Sequence, residues 1–179
     1  MPFYVGGTKL DTKSDINQGA NGNCYIVAPV AAYNLCRTPR IELQTVVASV
    51  GPGMGGSSDR AFRAMNLYAF SKSSGYSDSW KRLIKKAVDR SFPVCLGISW
   101  RNLDKKGGGN HVIYVTGYEN DTVYARDQQN NHVLISVDMK DPWESTEFVA
   151  GTKTSRECTV SWVGFGCPTK LDAQNLLAE

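Results

Sequence analysis

Ile16 to Leu35 reads INQGANGNCYIVAPVAAYNL, and this stretch decides the fold. The part from Tyr25 onward is apolar and long enough for a buried helix, with Pro29 either tolerated in the first turns or kinking it. Cys24 then stands at the helix N-terminus, where unpaired backbone N–H groups favour a thiolate. Just before it, Gly19 and Gly22 permit a tight backbone path into the helix. Gln18 adds an uncharged amide donor, which with the Cys24 backbone N–H can form a hole for a developing oxyanion.

Outward from this stretch, Thr38, Pro39 and Glu42 read as a cap, a first-turn proline and a first-turn acid, opening a second helix to about Ser49. GPGMGGSS, Gly51 to Ser58, ends it as a loop. A third helix is predicted over Asp59 to Phe70 and a fourth over Asp78 to Asp89, capped by Ser77 or Asp78. In the fourth, Lys81, Arg82, Lys85, Lys86 and Arg90 interleave with apolar residues at helical spacing and read as a solvated face.

After Pro93 the texture turns to strands: VCLGISW, HVIYVTGY, TVYARD, HVLISVD and ECTVSWVGF. Glu119-Asn120-Asp121 and Gln128 to Asn131 read as hairpin connections, and LDAQNLLAE as a short terminal helix. Helices followed by an antiparallel sheet favour an α+β fold. The expectation is a single domain over 1–179, with a helical lobe at about 12–91, a β lobe at about 92–168 and a cleft between them. There is no internal repeat.

With 179 residues and 41% apolar content the chain can bury a real core. A net charge of +3 is too small to suggest a nucleic-acid partner. No run approaches the length of a membrane span and the first residues lack a secretory pattern, so a soluble, cytoplasmic protein is expected as sequenced. Five cysteines without a C-x-x-C pair, and only two histidines, argue against a disulfide framework and against a metal. Neither a metal nor another cofactor is expected. Cys36, Cys95, Cys158 and Cys167 read as buried or incidental thiols, with Cys158 and Cys167 able to pair if oxidised.

His111 opens the strand HVIYVTGY, from which it can face Cys24 across a cleft as general base. Asp127 ends the next strand, placed to accept the second ring N–H of the histidine. His132 opens another strand without an accompanying motif and reads as structural. The loop Lys105 to Asn110, with three glycines before His111, is either a mobile rim or an ordinary connection.

The run Q-G-x-x-G-x-C-Y from Gln18 to Tyr25 resembles the cysteine signature of papain-like proteases, and INQGANGNCY resembles its calpain version. N-H-V-x-x-V-x-G-Y from Asn110 to Tyr118 resembles the papain histidine block, with Asp127 where such enzymes carry their third member. Aspartate there is similar to the double-glycine leader peptidases and related bacterial papain-like domains. The resemblance implies a thiol peptidase acting on a protein or peptide, with Cys24, His111, Asp127 and Gln18 catalytic. It further implies that Gly55-Gly56 binds substrate main chain, where the local sequence by itself reads as a flexible loop. Tyr25 and Gln128 depart from the pattern, each replacing a residue that is usually tryptophan, or for Gln128 tryptophan or proline. Trp162 or Trp143 are the candidates to shield the His–Asp bond instead.

The same machinery deamidates glutamine or transfers acyl groups in transglutaminase-like relatives, and an inactive papain-fold interaction module is the non-enzymatic alternative. An Asp-Cys-Ser-Gly text typical of peptidoglycan amidases is absent. Absence of a visible leader or propeptide suits a bacterial effector or toxin, delivered by a specialised system, held by an immunity protein and cutting at a Gly-Gly site.

Overall fold

The computed structural model describes residues 2–18, 23–51, 58–73, 78–102, 107–140, 143–148 and 155–178. Gly19, Gly22, Gly55 and Gly56 lie outside them. The fold is α+β, with an antiparallel sheet and a small set of helices.

Helix α1 (Cys24–Cys36) is buried on nearly every side from Ile26 to Tyr33, as its uninterrupted apolar text requires. It packs against the middle of the sheet, with Pro29 inside it. Helix α2 (Leu43–Val50) begins later than Thr38 and Pro39 suggest. Glu42 is its N-cap, and the Asn34 side chain bonds both the N–H and the C=O of Ile41, at 2.8 Å each, which holds the connection open.

Helix α3 (Asp59–Ala64) stops well short of Phe70. Asn66 takes a left-handed conformation with φ 60°, and the N–H groups of Asn66 and Leu67 return to Arg63 O and Phe62 O. That hydrogen-bond pair is a Schellman stop. The chain released there forms strand β1 (Tyr68–Lys72), so a segment read as helical adds a strand to the sheet. Helix α4 (Asp78–Asp89) follows expectation. Trp80, Leu83, Ile84, Ala87 and Val88 are buried, while Lys81 and Lys85 reach Asp121 in the solvated hairpin turn that follows Glu119.

The remaining strands are β2 (Val94–Asn102), β3 (Gly108–Glu119), β4 (Thr122–Asp127), β5 (Val133–Asp138), β6 (Glu144–Phe148) and β7 (Ser155–Cys167), followed by α5 (Lys170–Leu177). All pairings are antiparallel, in the order β1-β7-β2-β3-β4-β5, with β6 also on β7. The glycine run before His111 is thus strand from Gly108 on. A side chain at Gly108 would meet the Trp100 carbonyl oxygen at 2.7 Å, so the close approach of β2 demands glycine. Cys158 and Cys167 cannot pair: they stand nine residues apart on one strand, a span of roughly 30 Å.

An N-terminal arm lies across the sheet. Phe3 bridges to Gly117, where any Cβ would overlap the Phe3 ring, and Tyr4 donates to Phe92 O at 2.6 Å. Arg126 ties the arm down, its guanidinium donating to the carbonyls of Lys9, Leu10 and Thr12 at 2.8 to 3.1 Å and to His132 O at 2.9 Å. No helix among the described residues is long and apolar enough to cross a membrane.

Candidate active site

Cys24 is the first residue of α1. Asn23 O accepts from Ile26 and Val27 at 2.9 Å, which leaves the Cys24 N–H among the donors without an intrahelical acceptor. The half-buried thiol hydrogen-bonds to His111 on β3 and receives the N–H groups of Val112 and Tyr25. Burial alone would raise its pKa. The hydrogen bond and charge of His111 outweigh burial, and the thiol titrates below its ordinary value.

On the other side of the ring, His111 Nε2 stands 2.7 Å from Asp127 Oδ1. Both side chains are buried, His111 at 5% exposure and Asp127 at 0%. Burial opposes the imidazolium, but hydrogen bonds and charge from Asp127 and Cys24 raise the His111 pKa to about 9. The two shifts run in opposite directions and favour a thiolate–imidazolium pair at neutral pH. Asp127 is held ionised: burial would raise its pKa, yet His111, Arg156 and the Gln129 N–H, 3.0 Å from Oδ1, bring it below the carboxylate range.

Ladder partners explain why these groups meet. His111 faces Ile98 and Arg156 faces Asn102, and β2 alternates so that 98, 100 and 102 share one side. Ala125 pairs with Val115, which puts Asp127 on that side as well. Arg156 therefore reaches Asp127 across the inner face of the curved sheet and bonds Oδ2, its guanidinium 5.1 Å over the Trp100 ring. Asp127 lies between two cations, the His111 imidazolium and the Arg156 guanidinium.

Of Trp162 and Trp143, the two candidates to shield this pair, the structure places Trp162 elsewhere. Trp162 lies against Gly97, whose ladder partner is Val112, hence on the opposite face from His111. Trp143 packs edge-on against Trp80 of α4, with centroids 5.6 Å apart. Arg156 and Trp100 occupy the inner face instead. Arg156 carried no motif, and only the strand alternation, once the register is known, could have found it.

Gln18 reaches the same neighbourhood on the extended arm. Its N–H donates to Gln128 O at 3.0 Å and its Oε1 accepts from Gln128 Nε2 at 2.9 Å. Gln128, noted in the sequence only as a departure, is 1% exposed and also donates to Val112 O at 2.8 Å. His132 is structural, as its lack of a motif suggests: Nδ1 accepts from the Tyr114 hydroxyl at 2.7 Å and Nε2 contacts Asn17 Oδ1 at 2.8 Å. Burial and the charges of Arg126 and Lys13 lower its pKa, keeping it neutral.

Among the described residues no group of three His, Cys, Asp or Glu side chains gathers as a metal site would. No protein-family model and no curated protein matches the chain. Two solved structures of EndoMS, one in apo form and one in a dsDNA2 complex, align with a TM-score of 0.30. Identities are 10% and 11%, covering 61% and 57% of this chain and 56% and 49% of those chains. The chain thus spans about half the length of those structures, and likeness of that degree carries no inference about activity.

Proposed function

We propose that the chain is a papain-like cysteine endopeptidase, with Cys24 as nucleophile, His111 as general acid and base, Asp127 orienting the imidazole and Gln18 as side-chain oxyanion donor. One observation carries the reading: a single imidazole bridges a buried carboxylate at 2.7 Å and a thiol at a helix N-terminus. The helices and the sheet then stand for the two lobes, with the substrate cleft where α1 meets β3.

In this mechanism the Cys24 thiolate attacks the peptide carbonyl carbon, and the carbonyl electron pair moves to oxygen, stabilised by Gln18 and the Cys24 N–H. Collapse expels the amine, which takes its proton from His111 and leaves a thioester on Cys24. Water, deprotonated by His111, attacks the thioester and releases the carboxylic acid and the thiolate. The buried Asp127 keeps the ring oriented throughout.

Labelling with a thiol-reactive peptide epoxide, compared between wild type and Cys24→Ala and followed by mass-spectrometric mapping of new peptide ends in a lysate, tests this. Rapid labelling confined to Cys24 with new termini is expected. Labelling without cleavage points to glutamine deamidation or acyl transfer, and an inert Cys24 in folded protein overturns the enzymatic reading. Delivery as an effector restrained by an immunity protein stays part of the proposal, and harmless expression of the active protein in bacterial and eukaryotic cells counts against it.

A further inference from the structure

Gln128 lies between the two halves of the candidate machinery. It follows Asp127 directly, and its side-chain amide nitrogen donates to two acceptors at once, Val112 O at 2.8 Å and Gln18 Oε1 at 2.9 Å. The first contact fixes the amide orientation: a backbone carbonyl only accepts, so the Gln128 atom facing Val112 is nitrogen. That nitrogen in turn requires oxygen from Gln18, and the Gln18 Nε2 is turned to the opposite side. Its backbone N–H, bonded to Gln128 O at 3.0 Å, keeps the residue from sliding along the turn. The same turn holds the preceding residue through His132 and Asn17.

Gln128 Oε1 is buried with no hydrogen-bond partner among the described residues. Such an oxygen is destabilising, and an apolar side chain would avoid it. The amide is therefore better explained by what its nitrogen orients than by packing.

We propose that Gln128 is the positioning residue of the oxyanion hole, holding the Gln18 amide with nitrogen, not oxygen, toward the reacting carbonyl. This rests on the assignment of Gln18 as oxyanion donor. Val112, which carries the shared acceptor, also follows His111 and gives its N–H to Cys24. One side chain thus links the donor's orientation to the strand that holds the base.

The test separates acylation, which needs an oxyanion hole, from alkylation, which needs only a thiolate. The probes are the p-nitrophenyl acetate burst and iodoacetamide, applied to wild type, Cys24→Ala, Gln18→Ala, Gln128→Met, Gln128→Glu and the Gln18→Ala/Gln128→Glu double variant. Folding is checked by circular dichroism. Gln18→Ala and Gln128→Glu are expected to slow acylation about a hundredfold, and Gln128→Met about tenfold, with alkylation within about twofold of wild type and the double variant no slower than Gln18→Ala. Should Gln128→Glu fail to fold, Gln128→Met decides alone. Acylation at the wild-type rate in the Gln128 variants beside a slow Gln18→Ala, additive losses in the double variant, or equal loss of acylation and alkylation each overturn the role of Gln128. A wild-type burst no larger than that of Cys24→Ala, or a Gln18→Ala variant as fast as wild type, overturns the oxyanion assignment itself.

Discussion

At the scale of single residues, the site is a charge arrangement spread over three strands and a helix end. Cys24 titrates below its ordinary value and His111 above its own, which favours the ion pair at neutral pH; it is lost where the thiol protonates and where the imidazolium gives up its proton. Iodoacetamide alkylation of Cys24 is expected to proceed below the ordinary thiol range of about 8.5, and His111→Ala to shift its pH midpoint upward. Activity is expected to fall as pH rises through about 9, where His111 loses its proton. The stability that the raised His111 pKa contributes has the same sign: complete below its unfolded value of about 6.5, and lost as pH climbs through about 9. Thermal melts of wild type and His111→Ala across pH 6 to 10 read this directly, and a flat difference between them would contradict it. Gln18, Cys24, His111 and Asp127 could be singled out in the sequence because each sits in a distinctive local text, and the structure brings Cys24, His111 and Asp127 together. Arg156 and Gln128 could not, because their contacts come from register and from amide orientation, which leave no local mark.

At the scale of elements, the segment whose structure departs from its periodicity is the instructive one. Asp59 to Phe70 has no proline or glycine to stop a helix, and its apolar residues fit the helical period. What ends α3 is the left-handed Asn66, a position where any other non-glycine residue pays for its Cβ. Asn66→Val is therefore expected to cost about 1–2 kcal/mol in urea unfolding, with Asn66→Gly near wild type. An equal effect of both variants would argue that the contacts of the asparagine side chain, and not the backbone turn, end the helix. The strand that follows was hidden because YAFSK is short and mixed, and its ladder partner is β7, laid down almost a hundred residues later. By contrast α4, β3, β4 and the two hairpin turns were legible, since their periodicity and turn residues lie within the elements themselves.

On the scale of the whole molecule, the N-terminal arm is what the sequence concealed most fully. Nothing in residues 2–18 is periodic, yet Arg126 gathers three of its carbonyls and His132 holds Asn17 beside Gln18. Arg126→Met is expected to leave those carbonyls, of which that of Thr12 is buried, without their donor at a cost of about 1–3 kcal/mol. It should also expose the arm to limited proteolysis between residues 8 and 13 before the sheet is cut. Resistance of the arm equal to wild type would mean that the bridge at Phe3 and the Tyr4 hydroxyl hold it unaided.

That long-range stitching bears on how the chain is made. Cys24 leaves the ribosome well before Asp127 and Arg156, which belong to strands translated more than a hundred residues afterwards. At ordinary elongation rates the gap is on the order of ten seconds. During it, Cys24 is a plain thiol on a nascent chain, without the neighbours that ionise it. Until β7 has been made, Cys24 keeps the ordinary chemistry of a free thiol.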